Sequence, residues 1–184
     1  MIFLVYGGSG SGKSEFAENL CTEIAGTKGR TSGCSKFYIA TMKARDSESL
    51  ERIERHKKQR AGKGFFTIEK EMNLAEIAGA DGEKFSSSTA LLECMSNLLA
   101  NEMFSSAEER DESFYREKIL ADIRILAAAF KNLVIVSGNV FEDGREYDRL
   151  TKKYMRLLAA VNAELAVSAD SVYELVAGIP VKIK

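Results

Sequence analysis

The sequence contains few residues of several types, and their scarcity excludes some classes of protein and of binding site. It contains no tryptophan, one proline, one histidine and three cysteines among 184 residues. The three cysteines, Cys21, Cys34 and Cys94, are odd in number and widely spaced, which disfavours a disulfide framework and a cysteine metal site. Buried or free thiols of this kind are typical of a reducing cytosol, so we expect a cytoplasmic protein. Any chemistry that needs an imidazole depends on His56 alone.

A large net charge and long apolar runs are also absent. The net charge is −1, so no overall field attracts nucleic acid or an anionic membrane. No apolar run approaches the ~20 residues needed to cross a bilayer. Apolar residues make up 45% and charged residues 29% of the chain, a balance typical of globular proteins. We therefore predict a single domain over residues 1–184, with no nucleic-acid partner and no membrane span.

The strongest motif lies where a predicted buried strand (residues 1–6) meets a predicted helix. It reads Gly7-Gly8-Ser9-Gly10-Ser11-Gly12-Lys13-Ser14 and fits G-x-x-x-x-G-K-[ST], the phosphate-binding P-loop. Its glycines let backbone N–H groups approach phosphate oxygens, and the helix dipole faces the same anion. A Gly- and Ser-rich turn that matches by accident is the alternative. We predict that the chain binds a nucleoside triphosphate, with Lys13 at the terminal phosphates and the Ser14 hydroxyl as a Mg²⁺ ligand.

Strands and helices are predicted to alternate along the rest of the chain. Strands are expected at residues 37–41, 65–69, 89–94, 133–137, 172–176 and 180–183, and helices at 14–24, 46–60, 72–80, 95–104, 114–130 and 147–165. Such alternation is typical of an α/β fold with a mostly parallel sheet and helices on both faces. Ligands of such folds bind at the carboxyl ends of the strands.

The helix predicted at residues 46–60 carries a second group of interest. Glu48, Arg52, His56 and Arg60 recur every four residues, so they share one face. Such a run of charged residues is most often a solvent-exposed helix face. The alternative is a phosphate-handling face, because a neutral imidazole can attack phosphorus and form a covalent phosphoramidate. The residues alone leave both interpretations open.

One acidic residue stands out because of its position. Glu93 follows the apolar run Ala90-Leu91-Leu92 at the end of a predicted strand. P-loop enzymes keep a Mg²⁺-associated carboxylate at this place, so we predict a metal or nucleotide role for Glu93. A surface cap of the strand is the alternative. Asn97 and Asn101, on the helix that follows, are weaker candidates.

Several stretches occur in an order that resembles one protein family. They are the opening strand with the P-loop, Tyr38-Ile39-Ala40-Thr41, Arg52-Ile53-x-x-His56-Lys57-x-x-Arg60, Leu91-Leu92-Glu93-Cys94 and Gly178-Ile179-Pro180-Val181-Lys182-Ile183-Lys184. Together they resemble the adenosylcobinamide kinase / adenosylcobinamide-phosphate guanylyltransferase family of cobalamin nucleotide-loop assembly. The resemblance covers essentially the whole chain.

The resemblance implies a RecA-like P-loop NTPase fold, a three-layer sandwich, in a homo-oligomer that is usually a trimer. It also implies two reactions. One phosphorylates the aminopropanol hydroxyl of the corrinoid adenosylcobinamide with ATP or GTP. The other transfers GMP from GTP, through a covalent GMP–histidine, to adenosylcobinamide phosphate. Mg²⁺ is the expected cofactor of both.

The resemblance assigns roles to individual residues as well. His56 matches the guanylylated histidine and, with Lys13, is the expected catalytic residue. Ser14 and Glu93 are the expected metal ligands. Beyond the P-loop, nucleotide contacts are implied for Ile39, Ala40, Thr41, Arg52, Lys57, Lys58, Gln59, Arg60, Glu69 and Glu93.

Three departures from the family pattern leave other functions open. Ser9-Gly10 stands where Ala-Arg is common, Arg55 where many members have a second histidine, and Gly138-Asn139 where Asn-Glu is usual. The last removes a carboxylate from the carboxyl edge of the sheet, which places one of the two activities in question. The alternatives are a small-molecule kinase without nucleotidyl transfer and a nucleotide-binding regulatory protein. The second is disfavoured because the sequence lacks the Asn-Lys-x-Asp motif that reads guanine.

Overall fold

Strands and helices alternate along the chain in the computed structural model, which describes residues 1–26, 35–44, 46–105, 110–140 and 144–184. The side chains of residues 48, 52, 59 and 80–84 lie outside this description. The strands are β1 (Ile2–Gly7), β2 (Lys36–Ala40), β3 (Phe65–Glu69), β4 (Thr89–Glu93), β5 (Asn132–Gly138), β6 (Ser171–Val176) and β7 (Ile179–Lys182). The helices are α1 (Lys13–Ala25), α2 (Ser47–Arg60), α3 (Ala75–Phe85), α4 (Met95–Phe104), α5 (Glu112–Ala129) and α6 (Arg149–Ser168).

The strands form one seven-stranded sheet in the order β3-β2-β4-β5-β1-β6-β7. All neighbouring pairs are parallel except β6 and β7, which pair antiparallel. The mostly parallel sheet predicted from the sequence is therefore confirmed. Because the strands run in parallel, β1, β2, β3, β4 and β5 all end at the same edge of the sheet. The P-loop, Thr41 and Glu93 lie along that edge.

Helices cover both faces of the sheet. Side chains of β4 are buried throughout, as is expected of a strand enclosed on two sides. On one face α1 contributes Ala17 and Cys21 to an apolar cluster with residues of β1, β2, β4 and β5. On the other face α3, α4, α5 and α6 pack together in a larger cluster around Leu92 and Ile135. The three-layer arrangement is the one predicted.

Helices α3 and α6 begin two or three residues later than predicted. Helix α3 begins at Ala75 and not at residue 72, because Asn73 adopts a positive φ of 53° and the chain turns there. The N–H groups of Asn73 and Leu74 donate to Glu102 Oε1 and Asp122 Oδ2, at 2.9 and 3.0 Å. Helix α6 begins at Arg149 because the Asp148 side chain accepts hydrogen bonds from the backbone N–H groups of Leu150 and Thr151.

Two further expectations concern cysteines and membranes. Cys21 is buried and Cys94 half-buried, both as free thiols, while Cys34 lies outside the described residues. Among the helices of the described residues, none combines the length and the apolar character needed to cross a membrane.

Candidate active site

The P-loop has a shape that depends on glycine at particular positions. Gly12, at the start of α1, has a φ of 88°, in the left-handed region. Gly7 has a φ of 154°, and a Cβ atom there would lie 2.6 Å from the Leu175 carbonyl oxygen of β6. The end of β1 can therefore approach β6 this closely only without a side chain.

Two other segments support the P-loop through backbone hydrogen bonds. The N–H of Gly178, in the turn between β6 and β7, donates to the Ser11 carbonyl at 3.1 Å. The N–H of Asn139, just after β5, donates to the Gly7 carbonyl at 2.9 Å. The sequence motif that begins at Gly178 thus lies against the P-loop.

Lys13 and Ser14 follow the loop at the start of α1. The Lys13 ammonium donates to the Gly8 carbonyl, so it lies over the loop itself. The Ser14 hydroxyl donates to Glu93 Oε1 at the end of β4. The two predicted metal ligands, Ser14 and Glu93, are therefore in contact. Strand β1, which leads into the P-loop, and strand β4, which ends at Glu93, are separated in the sheet by β5. A hydroxyl and a carboxylate are hard oxygen ligands of the kind that Mg²⁺ prefers, so they fit that ion.

Glu93 also accepts a hydrogen bond from Tyr38, a residue that the sequence pattern places in a strand without assigning it to the site. The Tyr38 hydroxyl donates to Glu93 Oε2 at 3.2 Å. Burial, followed by the negative charge of Glu93, raises the pKa of Tyr38 well above its usual range, so the hydroxyl stays protonated and able to donate. The Arg60 guanidinium carbon lies 3.4 Å from the centre of the Tyr38 ring, within the range of a cation–π contact.

His56 lies against the same carboxylate. Its Nδ1 atom is 3.8 Å from Glu93 Oε1, and its side chain is 20% exposed. Nδ1 is buried and makes no hydrogen bond with any residue that the structure describes. His56 and Arg60, one turn apart on α2, therefore both face the sheet edge. The helix face that carries them packs against Glu93 and Tyr38, so it is not the purely solvated face that the sequence left open.

Thr41, which follows β2, is hydrogen-bonded to Cys94, which follows Glu93. Thr41 Oγ1 donates to the Cys94 carbonyl at 2.8 Å and accepts from the Cys94 N–H at 2.7 Å. The side-chain amide of Asn101 donates to the Thr41 carbonyl at 2.8 Å, so Asn101 has a structural role at this edge of the sheet. Ala40 is the register partner of both Glu69 and Glu93, while Ile39 is buried beneath.

Other predicted nucleotide contacts lie farther from this centre. Glu69 is exposed at the end of the edge strand β3. Lys57 and Lys58 are exposed on α2, and Lys57 lies 3.5 Å from Glu54 in an ion pair. The side chains of Arg52 and Gln59 lie outside the described part of the chain. Ser9 and Gly10 are exposed in the loop.

Gly138, one of the departures from the family pattern, has a structural explanation. A Cβ atom at Gly138 would lie 2.7 Å from Ser96 Oγ, closer than side-chain atoms approach. Asparagine at this position would therefore require Ser96 to move. Asn139 follows, and its N–H donates to the Gly7 carbonyl, so the position at which the family usually has a carboxylate lies beside the P-loop.

Comparison with known proteins finds relatives over the whole chain. A family model described as cobinamide kinase / cobinamide phosphate guanyltransferase (CobU) matches residues 3–183. The bifunctional adenosylcobalamin biosynthesis proteins CobU of Escherichia coli (strain K12) and Salmonella typhimurium (strain LT2) are 31% and 32% identical to the chain, and each alignment covers 100% of both sequences. The CobP protein of Pseudomonas aeruginosa is 27% identical and covers 98% of this chain and 96% of its own.

Solved structures with the same fold are more distant in sequence. One solved ATPase domain has a TM-score of 0.52 at 10% identity, over 94% of this chain and 68% of its own. A KaiC-like protein from Pyrococcus horikoshii has a TM-score of 0.52 at 14% identity, over 94% and 69%. These neighbours confirm the P-loop NTPase fold class.

Proposed function

The chain belongs to the cobinamide kinase / cobinamide phosphate guanyltransferase family, and on this premise we propose that it catalyses both reactions of the family. It phosphorylates adenosylcobinamide with a nucleoside triphosphate and transfers GMP from GTP to adenosylcobinamide phosphate. The observation that supports the proposed GMP transfer is the position of His56. The one imidazole of the chain lies beside Glu93, which in turn is hydrogen-bonded to the P-loop residue Ser14.

Both reactions begin with a triphosphate on the P-loop. The backbone N–H groups of residues 7–14 and the N-terminus of α1 bind the phosphate oxygens. Lys13 leaves the Gly8 carbonyl and contacts the terminal phosphates. Ser14 and Glu93 would hold a Mg²⁺ ion, with water and phosphate oxygens as the other ligands. When bound, that ion supplies charge neutralisation on the phosphates.

In the kinase reaction the acceptor is an alcohol. Its oxygen attacks the γ-phosphorus, the bond from that phosphorus to the bridging oxygen breaks, and the nucleoside diphosphate leaves. Lys13 stabilises the negative charge that develops on the leaving oxygen. The transition state of phosphoryl transfer is loose, so the alcohol loses its proton late, to water.

In the guanylyl transfer His56 is the nucleophile. A proton on Nδ1 faces the Glu93 carboxylate, which leaves the lone pair on Nε2 free to attack the α-phosphorus of GTP. The N–P bond forms and pyrophosphate departs. A phosphate oxygen of the corrinoid then attacks the same phosphorus, the N–P bond breaks, and His56 is regenerated.

We further propose a cytoplasmic, single-domain homo-oligomer, with the trimer as the first form to test. The free thiols of Cys21 and Cys94 support the location. The continuity of the seven strands in one sheet supports the single domain. A net charge of −1 supports a small-molecule acceptor over nucleic acid.

The test is the intact mass of the protein after incubation with GTP and Mg²⁺, with His56→Ala beside it. We expect a gain of one GMP unit that is labile in acid, stable in base and absent from the variant. ATP-dependent phosphorylation of adenosylcobinamide should survive in His56→Ala. If the wild-type chain binds triphosphate but forms no adduct, the nucleotidyl transfer is refuted and a plain kinase remains.

A further inference from the structure

Helix α2, which carries His56, is held to the rest of the molecule by few side chains. Of its described side chains Arg60 alone is buried, and Leu50 is 53% exposed. An ordinary surface helix buries an apolar stripe that fixes its place. Among the described residues of α2, Ile53 is the one half-buried apolar side chain, so polar contacts near the C-terminal end contribute much of what places the helix.

One of these contacts is an ion pair just after the helix. Lys63 Nζ lies 2.6 Å from Glu18 Oε2. The Glu18 side chain is only 1% exposed, and its second oxygen, Oε1, has no hydrogen-bond partner among the described residues. A buried carboxylate depends strongly on the cation paired with it, because its charge has lost the solvation of water. Breaking the contact would leave the Glu18 charge buried and unpaired, so the ion pair strongly favours this position of Lys63.

The position of Glu18 connects this ion pair with the P-loop. Glu18 lies on α1 one turn after Ser14, on the helix whose first turn binds phosphate. Lys63 stands between Gly62 and Gly64, which adopt φ values of 85° and 72° where the chain turns from α2 into β3. The Glu18–Lys63 pair thus fixes the end of α2 to the helix that holds the nucleotide.

We propose that Glu18 and Lys63 are positioning residues, whose ion pair sets the place of His56 relative to the triphosphate bound at the P-loop. This inference rests on the proposed nucleotidyl transfer, since it assigns the pair a task in that step. Neither residue touches the reacting atoms.

The geometry indicates how sensitive the reaction is to this pair. His56 lies four residues before Arg60, the last residue of α2, about 6 Å away at the rise of a helix, so a rotation of α2 by roughly 10° about its C-terminal end would move His56 by about 1 Å. A displacement of ~1 Å at a reacting centre can cost about 100-fold in rate. The Arg60–Tyr38 contact remains without the pair, so α2 would stay attached but less well placed.

The experiment compares the wild-type chain with Glu18→Gln/Lys63→Met, which removes both charges and leaves no buried ion unpaired. Single-turnover formation of the GMP adduct is followed by quenched-flow mass spectrometry, and the dissociation constant for GTP is measured separately. We expect adduct formation to slow roughly 10- to 100-fold while the dissociation constant changes less than threefold. Lys63→Arg, which keeps the charge, should stay within threefold of the wild-type rate.

The matched control removes another ion pair, Glu112–Arg156 (2.8 Å), which joins α5 and α6 away from the P-loop. Glu112→Gln/Arg156→Met should leave adduct formation unchanged. Hydrogen exchange gives a readout that does not depend on chemistry: amides of residues 49–60 should exchange faster in Glu18→Gln/Lys63→Met, and those of α1 should not. Exchange is measured in Lys63→Gln as well, in case the double variant does not fold.

The outcomes separate the two proposals. If the wild-type chain forms no adduct, the nucleotidyl transfer fails, and hydrogen exchange alone decides whether the pair fixes α2. If Glu18→Gln/Lys63→Met forms the adduct at the wild-type rate, or if the exchange of α2 is unchanged, the positioning role is overturned.

Discussion

Glu93 Oε1 lies 3.8 Å from Nδ1 of His56. The same oxygen accepts a hydrogen bond from Ser14, and the other carboxylate oxygen accepts one from Tyr38. A single buried carboxylate thus connects α1 at the P-loop, the strands β2 and β4, and the helix of the proposed nucleophile. Removing its charge should therefore disturb both proposed reactions.

Glu93→Gln is predicted to fold and to lose activity. The amide keeps the size of the side chain but carries no charge for a metal or for the Nδ1 proton of His56. We expect adduct formation and corrinoid phosphorylation each to fall on the order of 10- to 100-fold. Both rates are measured beside Glu76→Gln, which removes a largely exposed carboxylate of α3. Equal effects of the two substitutions would contradict a special role for Glu93.

Gly7→Ala is predicted to destabilise the fold, whereas Gly8→Ala is not. At Gly7 a methyl group would meet the Leu175 carbonyl at 2.6 Å, and its φ of 154° is unfavourable for alanine. We expect the free energy of unfolding to fall by about 1–3 kcal/mol. At Gly8 nothing lies within 4 Å of the added atom, so a change below about 0.5 kcal/mol is expected. Urea denaturation measures both, and similar losses would refute the steric explanation.

Gly138→Ala and Ser96→Ala are predicted to be non-additive. The new methyl group would lie 2.7 Å from Ser96 Oγ, so Gly138→Ala alone should cost about 1–3 kcal/mol of stability through overpacking. Removing the hydroxyl provides the space, and the double variant should recover most of that loss. A double-mutant cycle in urea gives the coupling energy. Additive effects would show that Ser96 is not the obstacle.

Stability is predicted to fall at alkaline pH, in part through Tyr154. Burial, followed by the charge of Cys94, raises the pKa of Tyr154 from 10.0 to about 12. Above about pH 10 the unfolded chain releases a proton that the folded chain keeps, so the free energy of unfolding decreases as the pH rises. Tyr154→Phe should flatten this decrease between pH 10.0 and about 12, although it also loses the hydrogen bond to the Ser96 carbonyl. Identical pH slopes would contradict the assignment.

Local sequence patterns were sufficient for the strands, most helix bounds and the P-loop, because each depends on neighbouring residues. The predicted start of α3 was wrong because Glu102 and Asp122, distant in sequence, bind the N–H groups of Asn73 and Leu74. The proximity of Glu93 to the P-loop could be predicted, since strand ends meet at one edge.

Contacts between distant elements could not be read from the sequence. Tyr38 has the pattern of a core aromatic residue, and nothing near it in the chain shows that Glu93 and Arg60 are its partners. Glu18 has the pattern of an exposed helix residue, yet it is buried, and Lys63 compensates its charge there. The Arg60–Tyr38 and Glu18–Lys63 pairings depend on how α2 lies on the sheet.

The interior position of β1 in the sheet, between β5 and β6, has a consequence for synthesis of the protein. Its sheet neighbours begin at Asn132 and Ser171, so a ribosome makes β1 more than a hundred residues before either neighbour. At about 5–20 residues per second, translation needs at least roughly 6 s to reach β5. Throughout that interval the nascent chain carries an unpaired apolar segment and an unformed P-loop. Nucleotide can therefore stabilise this chain only after β5 has been translated, because β1 has no neighbour in the sheet before then.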